Sequence, residues 1–193
     1  MSSIRNVGPR TVEERVLEAA AYCVRTYGVH RVTLTEIARR ARVSRPTIYR
    51  RWPDTDAVLG ALLSMRIAGV LDSVPSGGVG REHLVERIVR VGDQLRSDEV
   101  VMSVFHSTPD FAMVYITERL GTSQQILIDA LAGEIKLGQD HGSVRAGEPR
   151  QLAAMCLLIT QSTIQSAQMV APLIDAPALS EELAYALNGY LKP

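Results

Sequence analysis

Residues 45–51 combine guanidinium and hydroxyl groups at a spacing suited to contacts with a nucleic acid. Arg45, Thr47, Tyr49 and Arg50 fall within one short segment, and Arg51 follows them. Guanidinium groups donate paired hydrogen bonds to phosphates or to guanine O6 and N7, and hydroxyl groups add contacts to the DNA backbone. The alternative is a basic helix surface that contacts only solvent. The helix signals on either side of the segment favour DNA binding.

The flanking residues predict two short helices joined by a tight turn. Thr33 and Glu36 have the capping-box spacing Thr-x-x-Glu, and Ser44 is a second N-cap. Pro46 falls in the first turn of the second helix, where its missing N–H costs little. Apolar residues that we expect to face inward recur at helical spacing, namely Leu34, Ile37, Ala38, Ala41, Val43, Ile48 and Trp52. This order is typical of a helix-turn-helix whose second helix enters the major groove.

Over about residues 11–60 the chain resembles the DNA-binding domain of the TetR family of bacterial transcription regulators. The family pattern Ile-Ala-x-x-Ala-Gly-Val-Ser corresponds to residues 37–44, and x-x-Thr-hydrophobic-Tyr-x-x-aromatic corresponds to residues 45–52. Arg42 stands where the family usually has glycine, and a left-handed turn costs a non-glycine residue roughly 1 kcal/mol. Thr55 stands where the family often has a lysine on a phosphate, so we expect a weaker contact there.

The predicted DNA-binding residues divide by the chemistry of their contacts. Ser44, Tyr49 and Arg42 are expected to position the helix on phosphates, and Pro46 to touch a thymine methyl group. Candidates for base edges are Arg45, Thr47 and Arg50. The predicted set is completed by two residues at helix starts, Thr33 and Thr55.

Charge is divided unevenly along the 193 residues, although the net charge is zero. Residues 1–53 contain 11 Arg and 4 Glu, a net charge of +7, and residues 54–193 therefore carry −7. A basic N-terminal part attracts phosphates, whereas an acidic remainder repels DNA from the wrong face. The predicted partner is double-stranded DNA, contacted by the N-terminal part.

Other classes of protein lack support in the sequence. There is no run of 18 apolar residues and no apolar signal stretch, so we expect a cytoplasmic protein without a membrane contact. Cys23 and Cys156 are interpreted as small buried residues rather than a disulfide. Four scattered His residues show no metal-ligand spacing, and we find no phosphate loop or nucleophile–base pair. No cofactor, no metal and no enzymatic activity is predicted.

The periodicity of the whole chain predicts an all-α fold of about nine helices. Residues 1–53 form the predicted DNA-binding head, and residues 54–193 form the predicted ligand-binding and dimerisation body. Within the body we predict one long helix from Asp110 to about Leu137, and a last helix that begins at Ser180. Asp54 is predicted to cap the helix that links the head to the body.

The resemblance implies a homodimer in which the last two helices form a four-helix interface. Residues 151–170 are rich in Leu, Ile, Met and Ala, in keeping with such burial, although burial within one subunit is the alternative. The family also has a pocket for a small effector among its middle helices. Candidate ligand contacts, which are otherwise ordinary core residues, are Met102, Phe105, His106, Phe111, Tyr115, Met155 and Gln161.

These expectations lead to one hypothesis and two alternatives. A dimer places two recognition helices about 34 Å apart and contacts a palindromic operator. A small hydrophobic ligand would then release this repressor from DNA. The alternatives are a DNA-binding activator or architectural factor without a ligand, and an all-helical enzyme. The same head serves an activator or a repressor, and one or two dimers can occupy an operator.

Overall fold

The computed structural model describes residues 10–107 and 121–193, and these residues form helices without a β-strand. The all-α prediction is confirmed. The described part contains nine α-helices and one 3-10 turn at Val29–Arg31. The helices are α1 (Val12–Tyr27), α2 (Leu34–Ala41), α3 (Arg45–Arg51), α4 (Thr55–Ser73), α5 (Arg81–Ser97), α6 (Glu99–Ser107), α7 (Thr122–Asp140), α8 (Pro149–Val170) and α9 (Ala176–Leu191).

Side-chain caps fix the starts of the first four helices. Thr11, Thr33, Ser44 and Asp54 each accept a hydrogen bond from a backbone N–H in the first turn that follows. At α1 the capping box is complete, because the Glu14 carboxylate also accepts from the Thr11 N–H at 2.8 Å. The box predicted for α2 was wrong in its second half. There the Glu36 carboxylate accepts two hydrogen bonds from Arg39, at 2.6 and 2.9 Å, and does not reach back to Thr33.

The turn between α2 and α3 passes through Arg42 in the left-handed conformation. Its φ of 53° and ψ of 46° end α2, and its N–H donates to the Arg39 carbonyl. Among the described residues Arg42 is the one non-glycine residue with a positive φ. Since a side chain at this conformation meets the following carbonyl, the strain predicted for Arg42 is present in the backbone. The Val43 N–H bonds to the Ala38 carbonyl and holds the turn tight.

Helix α4 lies between the head and the body. Its residues Val58, Leu59, Leu62, Leu63 and Ile67 are buried. They belong to a core that also takes buried side chains from α1, α2 and α3, from the C-terminal half of α5, and from α6. The α4 side chains therefore connect the two predicted domains in one hydrophobic cluster.

A second core lies deeper in the body. It is formed by α5, α7, α8 and α9, with Ile135, Ala153, Cys156, Leu187 and Leu191 fully shielded from solvent. At the edge of this core, Arg87 connects α5 to α7 and α4. Its guanidinium pairs with Glu134 on α7 and donates to carbonyls at the end of α4. No helix within the described ranges has the length and apolar content needed to span a lipid bilayer.

Two predicted helix boundaries were wrong. α7 begins at Thr122, after an extended Gly121, and not within one long helix from Asp110. α9 begins at Ala176 and not at Ser180, because Asp175 is the N-cap and Pro177 lies in the first turn. Proline is tolerated there since the first N–H groups of a helix have no intrahelical partner.

Replacing Arg42 tests the strain in the turn. Arg42→Gly should be more stable than Arg42→Ala by about 1 kcal/mol, because glycine adopts the left-handed conformation without a Cβ clash. Both substitutions remove the same guanidinium, so their difference reports the backbone alone. Urea unfolding followed by the fluorescence of the single tryptophan, Trp52, measures it. Equal stabilities of the two variants would mean that this turn is unstrained.

Candidate nucleic-acid interface and body cavity

The surface of α3 and the preceding turn carries most of the residues predicted to bind DNA. We call this patch the recognition surface. Thr47 and Thr55 are partly buried, and Thr33 is exposed at the start of α2. The exposed members of the recognition surface are Arg42, Ser44, Arg45, Pro46, Tyr49 and Arg50. Ile48, on the opposite side of α3, is fully buried and fixes this helix to the head.

Two hydroxyl groups at the start of α3 are engaged with each other. The Ser44 Oγ lies 2.7 Å from the Thr47 Oγ1, and it also accepts from the Thr47 N–H at 3.2 Å. Both hydroxyls keep hydrogen-bonding capacity beyond this contact, because each has one donor and two acceptor sites. The pair therefore rigidifies the first turn of α3.

The arginines of the head differ in whether they have intramolecular partners. The side chains of Arg42, Arg45 and Arg50 form no hydrogen bond or ion pair with any residue that the structure describes. By contrast, Arg51 pairs with Glu13 of α1 at 2.6 Å. The exposed face of α3 thus presents guanidinium groups that are free to bind an external anion.

A basic cleft between α1 and α2 was not predicted from the sequence. Its volume is about 730 Å³. Glu18 pairs with Arg10 at its rim, and the Arg40 guanidinium lies over the Tyr22 ring, 3.0 Å from the centroid. The arginines that line it are Arg10, Arg15, Arg25, Arg39, Arg40 and Arg42. The signal was available in α1, where Arg15, Tyr22 and Arg25 recur at helical spacing.

The Glu36–Arg39 pair has the clearest electrostatic effect in the head. Two hydrogen bonds from the Arg39 guanidinium lower the pKa of the Glu36 carboxyl below its ordinary value, and the same contact raises the pKa of Arg39. Arg39 is consequently a fixed cation whose charge is compensated locally. It contributes less than Arg45 or Arg50 to the attraction of phosphate.

A cavity of about 80 Å³ lies in the body, bounded by α4, α5, α6, α7 and α8. Its wall is mostly aliphatic, with Ile67 and Leu71 from α4 among the lining residues. Polar side chains enter it from α7 and α8 and include Ser123 and Gln161. Within the described ranges no group of His, Cys, Asp and Glu is arranged to hold a metal ion.

The candidate ligand contacts lie in different places. Gln161 lines the cavity, whereas Met102 lines a separate cleft near the end of α8, and Met155 is 42% exposed. Phe111 and Tyr115 lie outside the described residues, as do the side chains of Phe105 and His106. The polar residues Ser123 and Gln165 line the cavity but were not predicted.

Both cysteines are buried free thiols, in keeping with the interpretation from the sequence. Burial raises the pKa of Cys23, and it raises the pKa of Cys156 to about 11. Each thiol therefore stays protonated at neutral pH. Neither is a reactive group, because the thiolate is the nucleophilic form.

Comparison with known proteins identifies close relatives. The model of the bacterial regulatory proteins of the tetR family matches residues 16–62. An HTH-type transcriptional regulator of Mycobacterium tuberculosis is 59% identical over 177 residues, which cover 92% of this chain and 93% of that protein. The repressor QsdR of R. erythropolis superposes with a TM-score of 0.71 at 17% identity, covering 93% of this chain and 94% of QsdR. Thermus thermophilus FadR, a repressor solved with lauroyl-CoA, gives 0.67 at 24% identity and 92% coverage of both chains.

Removing the Glu36 carboxylate should change how stability depends on pH. Since the folded-state pKa lies below the ordinary value of 4.5, the stabilisation by Glu36 is complete above about pH 4.5 and is lost as the pH falls through the lowered pKa. The difference in melting temperature between the wild type and Glu36→Gln should therefore shrink in acid. Glu82→Gln, at an exposed α5 residue without an ion pair among the described residues, is the control. If the difference in melting temperature stays constant down to pH 3, the lowered pKa of Glu36 is contradicted.

Proposed function

This chain belongs to the tetR family of bacterial regulatory proteins and is a transcriptional regulator, and from that premise we propose that it is a homodimeric repressor of a palindromic operator. A small hydrophobic ligand in the body releases it. Residues 1–53 bind DNA, and residues 54–193 bind the ligand and dimerise. The observation that carries the proposal is the set of free guanidinium groups on the exposed face of α3.

Arg45 and Arg50 are the proposed contacts to bases. Both are exposed, both lack an intramolecular partner among the described residues, and they stand on a helix whose opposite side is anchored by Ile48. A planar guanidinium matches guanine O6 and N7 in the major groove. Arg42, Ser44 and Tyr49 contact phosphates, and the remaining proposed contacts are Thr33, Pro46, Thr47 and Thr55. This assignment gives Arg42 a use that offsets the strain of its backbone.

A second subunit is proposed to cover the outer faces of α8 and α9. Leu158 is 53% exposed and Tyr185 is 78% exposed in the single chain. Met169, near the C-terminal end of α8, is also largely exposed. Apolar side chains concentrated on two adjacent helices are typical of an interface rather than of a solvated surface. Two copies joined there present two recognition surfaces to one palindrome.

The proposed effector site is the cavity in the body. At about 80 Å³ it is smaller than the roughly 300–1,000 Å³ occupied by drug-sized ligands, so an effector has to widen it. The aliphatic lining suits an apolar molecule. Thermus thermophilus FadR was solved with lauroyl-CoA, which makes acyl-CoA compounds a reasonable first class of effector to test.

Helix α4 is the proposed link between the effector and DNA. Ile67 and Leu71 form part of the cavity wall, whereas Val58 and Leu59 lie in the core shared with the head. Arg87 holds the C-terminal end of α4 through the Leu71 carbonyl, at 3.2 Å. A ligand that widens the cavity pushes on α4. Because Arg87 holds the C-terminal end of this helix, its N-terminal end, which packs against the head, moves. Release further requires that the ligand bind the moved state more tightly.

A footprint on the DNA that flanks the gene of this protein, recorded over a salt series, tests the proposal. Protection of a two-fold symmetric site that persists at physiological salt supports a specific dimeric regulator. Addition of acyl-CoA compounds of different chain lengths then tests release. Weak protection at all sequences, lost as salt increases, would contradict specific recognition and leave only the electrostatic attraction.

Arg45→Ala should weaken operator binding by about 1–3 kcal/mol and relax the preference for one base, because a paired contact to guanine is lost. Arg51→Ala is the matched control, since its guanidinium already pairs with Glu13 on the same helical head. Binding is measured by fluorescence anisotropy on operators with single base changes. Uniform weakening at all sequences would assign Arg45 to a phosphate instead of a base.

Leu158→Glu should convert the dimer to a monomer, because each interface would then bury a carboxylate at an apolar contact. Operator affinity should fall with it, since two half-sites can no longer be bound together. Leu137→Glu, at a leucine that is 50% exposed on α7, is the matched control. Sedimentation velocity measures the oligomeric state. A Leu158→Glu protein that remains dimeric would move the interface elsewhere.

A further inference from the structure

The cavity in the body is aliphatic over most of its wall and polar at one end. Leu127 and Leu131 on α7 and Leu157 on α8 represent the aliphatic part. The polar end lies at the first turn of α7. There the Gln124 Nε2 donates to the Gln161 Oε1 at 3.2 Å and holds this turn against α8.

Two hydrogen-bond donors at the polar end have no partner among the residues that the structure describes. The Ser123 side chain is buried, with 3% of the residue exposed, and its hydroxyl forms no hydrogen bond with the described residues. The Gln165 Nε2 is also buried, and no acceptor for it lies within the described part of the chain. Buried polar groups are normally satisfied in folded proteins, because an unpaired one retains its full desolvation cost.

Two neighbouring polar side chains already have partners. The Thr160 hydroxyl donates to the Cys156 carbonyl at 2.8 Å, and the Gln124 Oε1 accepts from the Gly121 N–H at 2.9 Å. Ser123 and Gln165 therefore differ from Thr160 and Gln124. Both supply a donor, so what they lack is an acceptor.

The start of α7 adds a favourable potential for an acceptor. This helix has 19 residues, and its N-cap residue Gly121 has no side chain that could accept from the first-turn N–H groups, although the Gln124 side chain accepts from the Gly121 N–H. The unpaired N–H groups at a helix start carry partial positive charge. Ser123 is the second residue of that turn, so its unpartnered hydroxyl and the positive helix end act on the same part of the cavity.

The cavity offers no free cation from its described lining residues. Arg87 is the one charged side chain among them, and its guanidinium is occupied by Glu134 and by the Val74 and Leu71 carbonyls, the latter two at 2.8 and 3.2 Å. A multiply charged anion would find no counter-ion here. A single oxygen that accepts hydrogen bonds suits the site.

We propose that Ser123 and Gln165 form a subsite for one acceptor oxygen, a carbonyl or carboxylate oxygen, at the end of an otherwise apolar ligand. The Ser123 hydroxyl and the Gln165 Nε2 donate to that oxygen, and the aliphatic wall holds the remainder of the molecule. The subsite rests on the proposed function in so far as the same cavity is to hold the effector.

Three probes of nearly equal size, which differ in whether they carry an acceptor oxygen, measure the contribution of that oxygen to binding. Ethylbenzene is apolar, acetophenone carries a carbonyl oxygen, and benzoate carries a carboxylate. We expect the affinity of the full-length protein for acetophenone, benzoate or both to fall about tenfold in Ser123→Ala and in Gln165→Leu, the loss of one hydrogen bond. The affinity for ethylbenzene should stay unchanged. Binding is measured by calorimetric titration without DNA, and circular dichroism verifies that each variant is folded.

Matched variants locate the binding. Ser162→Ala, at an exposed serine on α8, should not alter any of the affinities. Gly92 lines the cavity, and a Cβ built there lies 3.4 Å from Ile164 and Thr160, so Gly92→Leu should fill the cavity and remove all binding. Gly133→Leu, at an exposed glycine with open space around it, should have no effect.

The outcomes distinguish a failure of the subsite from a failure of the proposed effector response. Equal losses for all three probes, unchanged affinities in both subsite variants, or no binding of acetophenone and benzoate to the wild type would overturn the subsite. Binding that survives in Gly92→Leu would overturn it too. If the oxygen-dependent losses appear but no ligand of this class releases DNA in the footprint, the subsite stands and the proposed effector response fails.

Discussion

The packing of α4 constrains the rest of the molecule. Near its N-terminal end, Val58 and Leu59 are buried against the helices of the head, and near its C-terminal end Ile67 and Leu71 form part of the cavity wall. Arg87 fixes the last turn through backbone carbonyls. Since protein interiors are close-packed, neither end of this helix can be displaced without repacking of its neighbours. The helices that contact the two ends of α4 are therefore mechanically coupled through it.

Charge is distributed unevenly over the surfaces of the head. Glu13 and Glu36 each neutralise an arginine on the sides of the head, whereas Arg45 and Arg50 on α3 remain uncompensated. Part of the uncompensated positive charge of the head therefore lies on the exposed face of α3. Phosphates are attracted over distances comparable to the Debye length, about 10 Å at 0.1 M salt.

Much of the fold could be predicted because its signals are local. The caps at Thr11, Ser44 and Asp54 and the left-handed Arg42 depend on residues within one turn, which a sequence displays directly. Features that depend on distant residues were not predictable. The Glu13–Arg51 pair joins positions 38 residues apart. The role of Gly121 as the start of α7 was concealed by apolar periodicity that continues on both sides of it.

The candidate sites also differ in whether their residues are close together in the sequence. The recognition surface is one short stretch of chain, so residue types and spacing located its members, although the DNA contacts themselves remain predictions. The body cavity collects side chains from five helices, and Met or aromatic residues were weak guides to it. Met155 is exposed, and no sequence feature distinguishes Ser123, a buried residue of the cavity wall, from an ordinary helix residue.

The small volume of that cavity has a quantitative consequence. If the widened state is rarely populated, the apparent dissociation constant of any effector is the intrinsic one divided by that population. A widened fraction of about one in a hundred would make the response threshold a hundredfold higher than the affinity of the open site. Substitutions that loosen the aliphatic wall would then tune sensitivity without touching the ligand or the DNA.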